Sequence, residues 1–114
     1  PDVRDISISI NAARADFKVD YYVQINYTVG FSRTLSIYKG RDDTDTELLM
    51  IDDYSTEMLF TKDAIQNLFK FVRAEDDQTV VFAIKVDDKP TQPLMCKVKD
   101  INIHLSDIAD LMNI

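Results

Sequence analysis

Few residues in this 114-residue chain are of types that carry chemistry: there is one histidine, His104, and one cysteine, Cys96. Nucleophilic catalysis needs a nucleophile and a base within hydrogen-bond reach. Leu94, Cys96 and Val98 alternate, which places the thiol on an apolar strand face. His104 falls between Ile103 and Leu105, on the side expected to meet water. An extended chain between them separates the two groups by roughly 25 Å at ~3.3 Å per residue. No Cys–His pair is expected, and a single cysteine forms no internal disulfide or cysteine zinc site.

Carboxylates are the other candidate. Asp42-Asp43-Thr44-Asp45-Thr46-Glu47 spaces acids at every second position, the spacing at which a loop can offer oxygens to a divalent cation. A calcium loop of the EF-hand kind needs glycine at its sixth position, and Leu48 stands there. The same Asp-x-Asp pattern serves metal-bound sugar nucleotides in much larger folds. No metal and no cofactor is therefore expected. Two glycines cannot build a phosphate-cradling loop or a nucleophile elbow. Asn26-Tyr27-Thr28 matches a glycosylation sequon but lies inside the strongest strand signal, which argues against its use.

Charge narrows the partner. Thirteen Lys and Arg against twenty Asp and Glu give a net charge of −7. Such a surface repels phosphate backbones and anionic lipid, so direct nucleic-acid binding and membrane binding are both disfavoured. No apolar run approaches the about 20 residues that a spanning helix needs. The expected setting is cytoplasmic. The acids gather in clusters: Asp42, Asp43, Asp45 and Glu47, then Asp52, Asp53 and Glu57, then Glu75, Asp76 and Asp77, then Asp87 and Asp88. A solvated surface explains them, and so does a negative field that steers the chain onto a basic protein.

Periodicity supplies the scaffold. Ile6, Ile8 and Ile10 alternate with serines and predict a first strand. Val19 to Val29 alternates throughout, with Tyr22, Gln24, Asn26 and Thr28 on its polar side. Gly30 permits a reversal, and Phe31 to Lys39 returns as a hairpin partner. Glu47 to Asp53 predicts a fourth strand after a charged turn. Thr61 can cap a helix carrying Ile65, Leu68, Phe69 and Val72 at helical spacing, with Phe60 and Ile65 as a staple. Thr79 to Val86 is apolar on both faces and belongs mid-sheet. Leu94 to Leu105 reads as a last strand that changes phase, with a bulge near Lys99-Asp100. Ser106 then opens a short amphipathic tail.

The order β-β-β-β-α-β-β predicts one α+β domain over residues 1–114. Its architecture is an antiparallel or mixed sheet of about six strands, with one main helix on one face and a C-terminal helical turn. The function expected is that of a non-enzymatic binding protein whose acidic surface engages and blocks or adapts a basic macromolecular partner. A nucleic-acid-binding protein or a cationic toxin fits that partner, and a phage or mobile-element antagonist or an immunity-type protein fits the role. Asp42, Asp43, Asp45 and Glu47, with Glu75, Asp76 and Asp77, are the expected contacts. The alternative is an assembly subunit, a homodimer in the simplest case. It would associate through a polar sheet face bearing Tyr22 and Tyr38, or through Ile108, Leu111 and Met112 of the tail.

Overall fold

Alternation of apolar and polar side chains builds a meander of three antiparallel strands, β1 (Tyr21–Tyr27), β2 (Arg33–Lys39) and β3 (Glu47–Asp52). The computed structural model describes residues 19–28, 33–40, 46–53, 61–87 and 89–112. Helix α1 (Lys62–Phe71) follows, then β4 (Thr79–Val86) and two short strands, β5 (Lys89–Pro90) and β6 (Leu94–Lys97). A 3-10 helix (Val98–His104) runs on into α2 (Leu105–Met112).

The fold is α+β with a mixed sheet ordered β3-β2-β1-β4-β5, and β6 also pairs with β4. β1 and β4 run parallel, with Val23 opposite Phe82 and Ile25 opposite Ile84. All other neighbours are antiparallel. The strand expected at Ile6–Ile10 lies outside the described residues.

β5 and β6 share one edge of β4. Lys85 pairs with Pro90 and Phe82 with Leu94, so Ala83 and Ile84 face Thr91, Gln92 and Pro93. That extra residue is a bulge, held by the Thr91 N–H and hydroxyl, which both donate to the Ile84 carbonyl at 2.9 and 3.1 Å. The bulge expected near Lys99-Asp100 is not found: the strand ends at Lys97 and those two residues are helical. From Val98 to Met112 the chain is helical. Val98, Ile101, Leu105, Ile108 and Leu111 all pack on the main core, whereas Ile103 is 73% exposed. The period-two reading of Ile101, Ile103 and Leu105 is corrected to this spacing of three and four.

Both α helices cover one face of the sheet. Ile65 and Phe69 of α1 and Ile108 of α2 join Tyr21, Val23, Ile25, Leu35, Ile37, Phe82 and Ile84 in a buried cluster. Thr61 caps α1 as expected, its hydroxyl accepting the Ala64 N–H at 3.3 Å. The helix ends in a Schellman turn. Ala74 donates to the Phe69 carbonyl and Arg73 to that of Lys70, with Arg73 at φ 60°.

The centre of the opposite face is buried too. Val19, Tyr22, Val81 and Ala83 form a second cluster against which Tyr38 and Met95 pack. Gln24 and Ser36, neighbours across β1 and β2, are each only 9% exposed. The polar side of β1 and β2 is thus covered at Tyr22, Gln24 and Ser36, while Thr28 and Met50 on the same face stay exposed.

Candidate functional site

Chain direction decides where the acids meet. Because β1 and β4 are parallel, their first residues share one end of the sheet, and there β2 ends and β3 begins. Asp20, just ahead of β1, anchors that end. Its N–H donates to the Thr79 carbonyl at 3.0 Å, and its Oδ2 accepts the Thr79 N–H at 2.9 Å. On the other side Gly40 donates its N–H to the Asp20 carbonyl. Gly40 is packed so closely that a Cβ there would collide with the Val19 and Asp20 backbone.

Glu47, the exposed first residue of β3, lies opposite Tyr38 at this end. Glu75, Asp76 and Asp77 lead into β4 at the same end and are exposed. A reciprocal turn holds them: Glu75 donates its N–H to Gln78 Oε1 at 2.8 Å, and Gln78 donates its N–H to the Glu75 carbonyl at 3.1 Å. Asp42, Asp43 and Asp45 lie outside the described residues. The strand ends flanking them are fixed here, with Lys39 donating to the Thr46 carbonyl at 3.0 Å.

The field at this end is registered by Tyr21. Its hydroxyl pKa is raised chiefly by burial, then by the charges of Asp20 and Glu75, against a lowering hydrogen bond with Gln78. Cations stand nearby as well. Lys99 Nζ lies 3.4 Å from Asp77 Oδ1, and Lys97 Nζ donates to the Asp77 carbonyl at 3.0 Å. The Lys99–Asp77 pair is open to solvent and contributes ~1 kcal/mol at most. Asp76 also borders a cleft of about 320 Å³ between α1 and the 3-10 helix, floored by Ile65, Phe69 and Ile101.

The residues weighed for chemistry are placed apart from this end or engaged locally. Burial, then the Asp100 charge, pushes the Cys96 thiol up to about 11, which keeps it protonated at neutral pH. His104 Nδ1 lies 3.1 Å from Asp107 Oδ2 and is half-buried in the 3-10 helix, not on the water side of a strand. The extended spacing that separated Cys96 from His104 in the sequence therefore does not hold beyond Lys97. Among the described residues no three His, Cys, Asp or Glu side chains converge to hold a metal. The sequon residue Asn26 is half-buried within β1, with its Oδ1 fully covered.

Of the residues expected to mediate self-association, Tyr22 and Ile108 are buried within the chain. Tyr22 is 5% exposed and stacks on Tyr38, ring centroids 4.7 Å apart and planes 8° from parallel. Ile108 is wholly buried, and Leu111 packs half-buried on the same core. Met112 closes α2. Among the described residues, the large apolar side chains left exposed are Met50, Phe71 and Ile103.

No protein-family model matches the chain, and no curated protein or solved structure is similar to it.

Proposed function

We propose that this chain is a non-enzymatic protein-binding module whose acidic end engages a basic macromolecular partner and blocks or adapts it. The observation that carries the reading is the shared end of β1, β3 and β4. There the exposed Glu47, Glu75, Asp76 and Asp77 share one end of the sheet, with β2 and β1 between Glu47 and the Glu75–Asp77 turn. Exposed carboxylates on short, hydrogen-bonded supports form a fixed negative surface, which favours fast and selective encounter with a positive one. Lys39, Lys97 and Lys99 at the same end temper that surface and would select for the arrangement of charge as well as its sign. A cytoplasmic nucleic-acid-binding protein or cationic toxin has the matching chemistry. An antagonist or immunity-type role fits a small domain that acts by occupying such a site.

The test is capture from host lysate by the immobilised chain, beside a variant carrying Glu47→Gln, Glu75→Gln, Asp76→Asn and Asp77→Asn. A basic protein held by the wild-type chain at low salt and released by the variant is the expected result. A partner held equally by both chains would overturn the reading.

A further inference from the structure

The acidic end continues into a feature that is not electrostatic. β3 is the terminal strand of the sheet, bonded to β2 on one side, and among the described residues no strand pairs with its outer edge. Asp53 donates its N–H to the Arg33 carbonyl at 2.6 Å. In an antiparallel pair inward and outward backbone groups alternate, so the N–H and C=O of Met50 and Asp52 point away from β2. Both residues are exposed, Met50 at 51%.

Edge strands are ordinarily protected by lysine, proline or a bulge. β3 contains neither lysine nor proline. Its one irregularity lies at the N-terminal end, where Tyr38 faces Glu47 and Ile37 faces Leu49, leaving Leu48 as the additional residue. Leu49 to Asp52 remain regular. The charge is one-sided as well: over the described residues 46–53 it comes from Glu47, Asp52 and Asp53, with no Lys, Arg or His.

We infer that the outer edge of β3 takes up an extended basic segment of a protein partner as an added strand. Main-chain hydrogen bonds to Met50 and Asp52 would hold the segment, and its cationic side chains would face the flanking carboxylates. A second copy of this chain is the poorer occupant. Antiparallel β3–β3 pairing brings Glu47 of one copy to the Asp52–Asp53 end of the other, and parallel pairing sets like acids side by side. The inference rests on the reading of a basic partner and specifies how that partner is gripped.

The probe is a capped eight-residue peptide of alternating lysine and valine. Its control is the same peptide with alternate amides N-methylated, which keeps the charge and removes the strand-pairing donors. Binding is followed at low salt by NMR amide shifts and hydrogen exchange on the full chain. The expected result is binding of the first peptide, at least tenfold weaker binding of the second, and new exchange protection at the Met50 and Asp52 amides. Met50→Pro, which removes an outward donor, should weaken binding at least tenfold. The protection pattern in the wild-type chain serves as readout if that variant fails to fold. Equal, salt-sensitive binding of both peptides would overturn strand addition while leaving the acidic-surface reading standing. Binding without protection at Met50 and Asp52, no binding at all, or a wild-type dimer abolished by Met50→Pro would each overturn it too.

Discussion

Asp20 and Thr79 clamp the start of the parallel β1–β4 pair from both sides. The Asp20 N–H reaches the Thr79 carbonyl and hydroxyl at 3.0 and 3.2 Å, while Asp20 Oδ2 takes the Thr79 N–H and hydroxyl at 2.9 and 3.2 Å. A parallel pair has no hairpin to set its register. This contact does so across 59 positions of sequence, and the acidic end is assembled on it.

Asp20→Ala should therefore destabilise the fold by about 2 kcal/mol, the scale of hydrogen bonds to a charged group. Thr79→Val should cost less, since the Thr79 N–H remains to be paired. Urea unfolding of both variants measures this. A loss of partner binding with unchanged stability would assign Asp20 to the interface instead.

Arg73 holds the left-handed position of the Schellman turn that closes α1, with φ 60°. A side chain there costs ~1 kcal/mol or more relative to glycine. Arg73→Gly should raise stability by about 1 kcal/mol, seen as a higher thermal midpoint. An unchanged or lower midpoint would mean that the Arg73 side chain makes a compensating contact.

Cys96 should be slow to react with iodoacetamide at pH 8, then accelerate as pH approaches about 11. The sign of the linkage follows from the same shift. The folded thiol holds its proton above the usual value of 9.0, so the unfolded chain binds fewer protons than the folded one between those limits. The Cys96 contribution to stability is complete below pH 9 and declines as pH rises through about 11. Cys96→Ala should remove that component of the alkaline decline.

Tyr22→Ala should cost about 3 kcal/mol, as removal of a buried ring does. Tyr38→Ala should cost less, because its ring is partly exposed. If the stacked pair belongs to the second buried cluster, sedimentation of either variant that stays folded will match the wild-type chain. A change in oligomeric state at preserved stability would return the pair to an interface role.

The elements legible in the sequence were those with long, single-period patterns. Val19 to Val29 and Thr79 to Val86 announced strands, and Thr61 with Ile65, Leu68, Phe69 and Val72 announced α1. The last third misled because Val98, Ile101, Leu105 and Ile108 fit a helix while Ile101, Ile103 and Leu105 fit a strand equally well. Only burial separates the two, with Ile101 at 3% and Ile103 at 73% exposure. The acids were legible as clusters. Their placement at one end of the sheet was not, because it depends on β1 pairing in parallel with β4, a contact that no local pattern specifies. The polar face around Gln24 and Ser36 likewise gave no sign of being covered.

The central claim is tested most directly by the association rate of the captured partner with this chain, measured from ~0.1 M to ~1 M salt as the Debye length falls from about 10 to about 3 Å. The account predicts a rate that drops at least tenfold for the wild-type chain, the scale of electrostatic steering. It predicts a slower, nearly salt-independent rate once Glu47, Glu75, Asp76 and Asp77 are neutralised. A wild-type rate indifferent to salt, or a neutralised chain that keeps the wild-type profile, would contradict it.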